Sequence, residues 1–251
     1  MYRSGNPALN DLTFEKSAYK EVSWWEDSES NLMSMNGVVD KTALLLTIVT
    51  LTAIAVYLTV PISLFLSLLG AIVGFVVALI IIFSGSMNPI LICTYAACQG
   101  LFLGGITWII EYQYNAPGLG IVAAVLTFLI LGVMLSIYRA GLISWNKNMQ
   151  IAVTSSMVAI LLIYLVSFIG SFVGFEVPLI HGNGTVGIAF SVFVVGIASL
   201  CLVADFDFIE RGVERGAPKQ LEWRAAFGLL VTLIWLYLEI LKLLAKLTSR
   251  R

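Results

Sequence analysis

The chain has 251 residues, of which 59% are hydrophobic and only 12% charged, and its mean hydropathy is +0.97. A soluble domain carries about 25% charge, so a water-exposed globule is excluded and most of the chain must face lipid. The net charge of −1 offers no global basic surface, and no nucleic-acid partner is expected.

Residues 1–40 read as a polar tail with no apolar core of a secretory signal. Trp24 and Trp25 within it suit a membrane interface. Seven apolar runs follow, near 41–60, 62–83, 90–111, 118–138, 151–174, 185–209 and 225–247. Each is close to the roughly 20 residues that an α-helix needs to cross a bilayer. Pro61, "SGSMNP", "QYNAPG", "RAGLISWNKNMQ", "EVPLIHGNG" and "ERGAPKQLEWR" separate them with turn chemistry. Helices are required because they satisfy their own backbone in lipid, and the alternation of a membrane β-barrel is absent. The expected fold is therefore an all-α polytopic membrane protein: a tail (1–40), a seven-helix membrane domain (41–247) and a short C-terminal tail (248–251).

Glycine pairs in "GAIVG", "GLFLGG" and "GSFVG" permit close helix crossings, although glycine is common in membrane helices anyway. Cys93, Cys98 and Cys201 all lie in apolar runs and read as small buried hydrophobes, with no disulfide or metal spacing. With seven spans, the N-terminal tail and the even-numbered loops share one side. That side holds Arg3, Lys16, Lys20, Lys41, Arg139, Lys147, Arg211, Arg215, Lys219 and Arg224, whereas the other holds Lys242, Lys246, Arg250 and Arg251. The positive-inside rule then predicts a cytoplasmic N-terminus and places the C-terminus outside, against which the basic C-terminal end argues mildly.

Ionisable groups inside spans are functional candidates because burying them is costly. Glu111 ends the third span and reads as an interfacial cap. Lys242 and Lys246 lie close enough to the end of the last span to snorkel. Glu176 and His181 fall in the fifth loop, where solvation is the plain expectation. Glu239 lies about 12 Å inside the last span. It has two open readings: an intrahelical pair with Lys242 at i+3, or a position on an ion or proton path. In "LVADFDFIERG", Asp205 and Asp207 point about 200° apart on a helix. Asp207 has Arg211 at i+4. Asp205 has Cys201 and Ile209 one turn away on an apolar face, so it is the acid expected to point inward, as a proton switch or cation ligand.

The stretch "LVADFDFIERGVERGAPKQLEWRAAFGLLVTLIWLYLEILKLLAKL" resembles the last two helices of the Bax inhibitor-1 family, most closely its bacterial branch. "NPALN", "NGVVDKTALLL" and "TYAACQGLFLGGITWIIE" extend the resemblance over the whole chain. The resemblance implies a compact seven-helix fold with the last helix central. It also implies a multi-pass protein of the bacterial inner membrane and a pH-sensitive calcium leak, in which a sixth-helix aspartate bonds a seventh-helix aspartate. Eukaryotic relatives suppress cell death, and some bacterial relatives bind a membrane protease. The sixth-helix aspartate maps to Asp205, with Gly216 as the glycine eleven positions on. Where the second aspartate is due, this chain has Thr232.

The leading expectation is thus a non-enzymatic cation (Ca²⁺) leak, with Asp205 as gate and Thr232 and Glu239 along the path. Glu111, Gln99, Asp207 and Arg211 are secondary candidates. Ca²⁺ prefers six to eight oxygens, so at most weak transient binding is expected and no resident cofactor. The alternative is a regulatory protein that binds a membrane protease or other membrane partner through the tail and the "ERGAPKQLEWR" loop. An intramembrane hydrolase is disfavoured, because the chain has one histidine and no G-x-S-x-G or metal-ligand spacing.

Overall fold

A computed structural model describes residues 31–59, 63–172, 182 and 184–249. The first thirty residues, Pro61, Glu176, His181, Arg250 and Arg251 lie outside that set, and with them the expectations for Trp24, Trp25 and the fifth loop. Among the described residues there are seven helices and no strand. They are α1 (Met35–Leu58), α2 (Ser63–Ser84), α3 (Pro89–Gln113), α4 (Leu119–Arg139), α5 (Lys147–Phe172), α6 (Thr185–Glu214) and α7 (Leu221–Thr248). All seven are long and apolar enough to cross a membrane.

The helices outrun the apolar stretches where polar caps extend them. α1 begins at Met35 rather than at 41, because Ser34 is its N-cap and accepts the Gly37 amide at 3.0 Å. Asn88 caps α3 through Ile90 N–H at 3.0 Å, with Pro89 at the first helical position. Asn146 caps α5 through Met149 N–H at 2.9 Å. α6 runs past 209 to Glu214. There the Gly216 amide bonds Val213 O (3.0 Å) and the Ala217 amide bonds Gly212 O (3.1 Å), with Gly216 at φ +65°. This is the Schellman end that a left-handed residue makes, and it explains why a glycine follows the acidic-basic stretch.

By internal packing the chain divides into two compact units, and α3, α6 and α7 supply residues to both. One unit comprises residues 1–109 and 205–231, the other residues 110–204 and 232–251. In the first, glycine spacing sets the crossings. A Cβ on Gly100 or Gly104 of α3 would strike α1 at Val49, Thr52 and Ala53. One on Gly70 of α2 would strike the Cys98 carbonyl of α3. Both i,i+4 glycine pairs that the sequence offers in α2 and α3 are therefore used at close contacts. Ser67 also donates to the Phe102 carbonyl at 3.0 Å, and the Tyr95 and Phe227 rings meet edge to face at 4.9 Å.

In the second unit, α4 and α5 carry exposed apolar stripes, such as Ile121, Val125 and Leu129, and Leu161, Leu165 and Phe168. The expected solvent on those faces is lipid. The apolar stretch of α7 is 61% buried, that of α6 50% and that of α3 44%, against 17% for α4 and α5. α7 thus has the largest buried share of the seven helices. Cys98 and Cys201 are buried, Cys93 is half-buried, and all three are free thiols.

Gly104 and Gly132 offer a direct contrast, since a Cβ at Gly132 meets nothing within 4 Å. Gly104→Ala should lower stability by about 1–3 kcal/mol through overpacking. Gly132→Ala should be neutral or raise stability by about 0.5–1 kcal/mol through helix propensity. Thermal unfolding in one detergent compares the two.

Candidate functional site

Asp205 has no exposed surface. Cys201 and Ile209, one turn to either side of it, are also buried. Asp207 is half-buried, and Arg211 Nη2 lies 2.9 Å from its Oδ1 and 2.8 Å from its Oδ2. The helical offset thus sends one carboxylate into protein and gives the other a partial solvent shell and a cation at i+4.

A second buried carboxylate in the same unit escaped the sequence reading. Glu222 is the second residue of α7 and has no exposed surface. It accepts hydrogen bonds from Ser34 N–H (2.9 Å) and Ser34 Oγ (3.1 Å), and pairs with Lys41 Nζ. The Lys41 ammonium also lies 5.5 Å from the centre of the Trp223 ring. Around it, Met33 N–H bonds Ala217 O at 2.6 Å and Lys219 N–H bonds Asn31 O at 2.8 Å. Nearby on α7, Arg224 is buried and its Nη1 lies 3.4 Å from the Ile81 carbonyl at the end of α2. The segment before the first span and the loop between α6 and α7 are therefore clipped together. Ser34 and Glu222 are 188 positions apart, and no local pattern in a single sequence connects them.

In the other unit Glu239 is buried among donors. Its Oε1 accepts from Trp235 Nε1 (3.2 Å) and Lys242 Nζ (3.0 Å), and its Oε2 from Tyr164 O–H (2.8 Å). Of the two readings of Glu239, the i+3 pair with Lys242 is present, and Lys242 also lies 4.8 Å from the centre of the Tyr164 ring. Lys246 is a correction. It does not snorkel into solvent but is buried, donating to the Gly187 carbonyl (3.0 Å) and to Ser191 Oγ (2.8 Å) of α6. One carboxylate and two ammonium groups thus share this end of α7. A mobile cation here would meet a held lysine rather than a free acid.

Thr232 is buried on α7. Glu111 is also buried, and its Oε1 accepts the Gly120 amide at 2.8 Å. It caps the start of α4, where Gly118 has φ +86° and offers no side chain to do so. Gln99 is half-buried, and its Nε2 would lie 3.1 Å from a Cβ placed on Gly74. Among the described residues no group of three or more His, Cys, Asp or Glu side chains could hold a metal ion.

Seven helices, each long and apolar enough to cross a membrane, define a polytopic, all-α integral membrane protein. A family model described as "Bax inhibitor 1 like" matches residues 6–249, and the chain belongs to that family. No curated protein matches it.

Tyr164→Phe should destabilise the protein by about 1.5–3 kcal/mol, the range for a hydrogen bond to a charged group. Thermal unfolding of Tyr164→Phe, Glu239→Gln and the double variant should show the two costs to be non-additive. Additive costs would mean that the hydroxyl and carboxylate do not interact.

Proposed function

We propose that the protein is a non-enzymatic Ca²⁺ leak of the bacterial inner membrane, with its N-terminus in the cytoplasm and Asp205 as its proton-sensitive gate. The observation that carries this reading is the complete burial of Asp205 on α6. Ionising a carboxylate away from water is costly unless partners offset it, so its protonation state and the packing of its helix are linked. Protonation removes the charge and shifts the balance between two helix arrangements. Ionisation restores an anionic oxygen that a hard cation can meet in passing.

Thr232 supplies a buried hydroxyl in place of the second carboxylate that the family resemblance implies. The proposed switch therefore has a single titrating acid, Asp205. Glu239 enters as a counter-ion held by Lys242, Tyr164 and Trp235 rather than as a free ligand.

Docking of a membrane protease or other membrane partner is the second reading. It draws on the polar tail together with the charged, exposed side chains of Glu210, Glu214, Arg215 and Lys219 around the turn between α6 and α7. A truncation that separates the two must stop at residue 30, because residues 31–41 belong to the clip. Removing residues 1–30 should abolish partner binding and leave a leak intact.

Purified protein in Ca²⁺-loaded liposomes should give flux that changes between about pH 5 and 8. Asp205→Asn, a permanently neutral isostere, should hold flux at the wild-type acid limit at every pH. A variant with the wild-type pH profile would exclude Asp205 as the gate. No flux from either protein would favour the docking reading.

A further inference from the structure

Among the described residues, the hydrogen bonds to the Glu222 side chain all come from another part of the chain. Its three donors, two on Ser34 and one on Lys41, belong to the start of α1. Its own position is the first turn of α7. One carboxylate therefore faces the N-terminal ends of two helices, each of which carries about half a positive charge. Ser34 is used twice: its hydroxyl accepts the Gly37 amide and donates to Glu222. Gly37 completes the fit, because a Cβ there would overlap the Glu222 carboxylate.

The clip also reaches the helix that carries Asp205. Met33 and Val38, on either side of Ser34, pack in one buried cluster with Ile209, Ala217, Leu221 and Ala225. Ile209 is one turn beyond Asp205 on the same helical face. Pressure on Ile209 from the clip is thus pressure on the end of α6 that bears the buried acid.

We propose that Glu222 is a positioning residue: by fastening the start of α1 to the turn between α6 and α7, it fixes the α6 end that carries Asp205 and so sets the pH at which Asp205 acts. The proposal rests on the leak reading for its functional half. Its structural half stands on the clip alone. On these elements Asp207 and Arg211 pair with each other, and Arg224 Nη1 lies 3.4 Å from the Ile81 carbonyl. Lys41 is the cation at ion-pair distance from Glu222 among the described residues.

Two readouts on the full-length protein in lipid nanodiscs and liposomes test it. The first is hydrogen exchange at the Met33 and Lys219 amides, which bond across the clip. Gly37→Ala, which displaces the carboxylate without removing charge, and Glu222→Gln should each speed exchange there by about tenfold or more, the equivalent of about 1.4 kcal/mol. Lys41→Arg should retain protection. The second is the pH profile of Ca²⁺ flux. Its midpoint should move in Gly37→Ala and Glu222→Gln and stay with the wild type in Lys41→Arg. Unchanged protection in both Gly37→Ala and Glu222→Gln overturns the clip. Lost protection with an unmoved midpoint reduces Glu222 to a structural cap and overturns the positioning role. Absence of flux from the wild type overturns the leak reading and the positioning role with it, while exchange still decides the clip.

Discussion

In lipid, a polar group has no water to fall back on, and this single constraint organises the protein. Backbone amides and carbonyls are satisfied within helices, and the helix ends are closed by Ser34, Asn88, Glu111 and Asn146 at their starts. Threonines inside the spans donate to the carbonyl four residues back, as Thr42, Thr50, Thr94 and Thr127 do. The same constraint makes each buried charge informative. Burying a charge costs several kcal/mol unless partners offset it, so the partners show what the charge is for.

By that criterion the buried acids divide by task. Glu111 closes a helix start, Glu222 joins two distant parts of one unit, and Glu239 holds a lysine with help from a tyrosine and a tryptophan. Asp205 lies on α6 with no exposed surface, one turn from the buried Cys201 and Ile209. The switching role proposed for it rests on that burial and on its place one turn from the clipped cluster. Asp207, two residues away, is an ordinary i+4 partner of Arg211.

Much of this fold is legible in the amino-acid sequence because lipid enforces long apolar runs and turn residues punctuate them. The seven spans emerge for that reason, as do the opposed directions of Asp205 and Asp207, which follow from helical geometry alone. Helix ends are less legible: α1 and α6 run beyond their apolar stretches, since a cap at Ser34 and a left-handed Gly216 decide where they stop. The clip is not legible at all. Glu222 looks like a loop acid beside a tryptophan until α1 and α7 are folded together. Lys246 misleads in the opposite way, because its distance from the chain end fits snorkelling, while Gly187 and Ser191 offer it oxygens inside the protein.

The account turns on whether Asp205 changes protonation in the membrane. Infrared difference spectroscopy of the protein in lipid, titrated from about pH 5 to 8, reads protonated carboxyl groups directly. The account predicts a carboxyl band that titrates in step with ion flux and is lost in Asp205→Asn. A band that persists unchanged in Asp205→Asn, or no titrating band in the wild type, would contradict it.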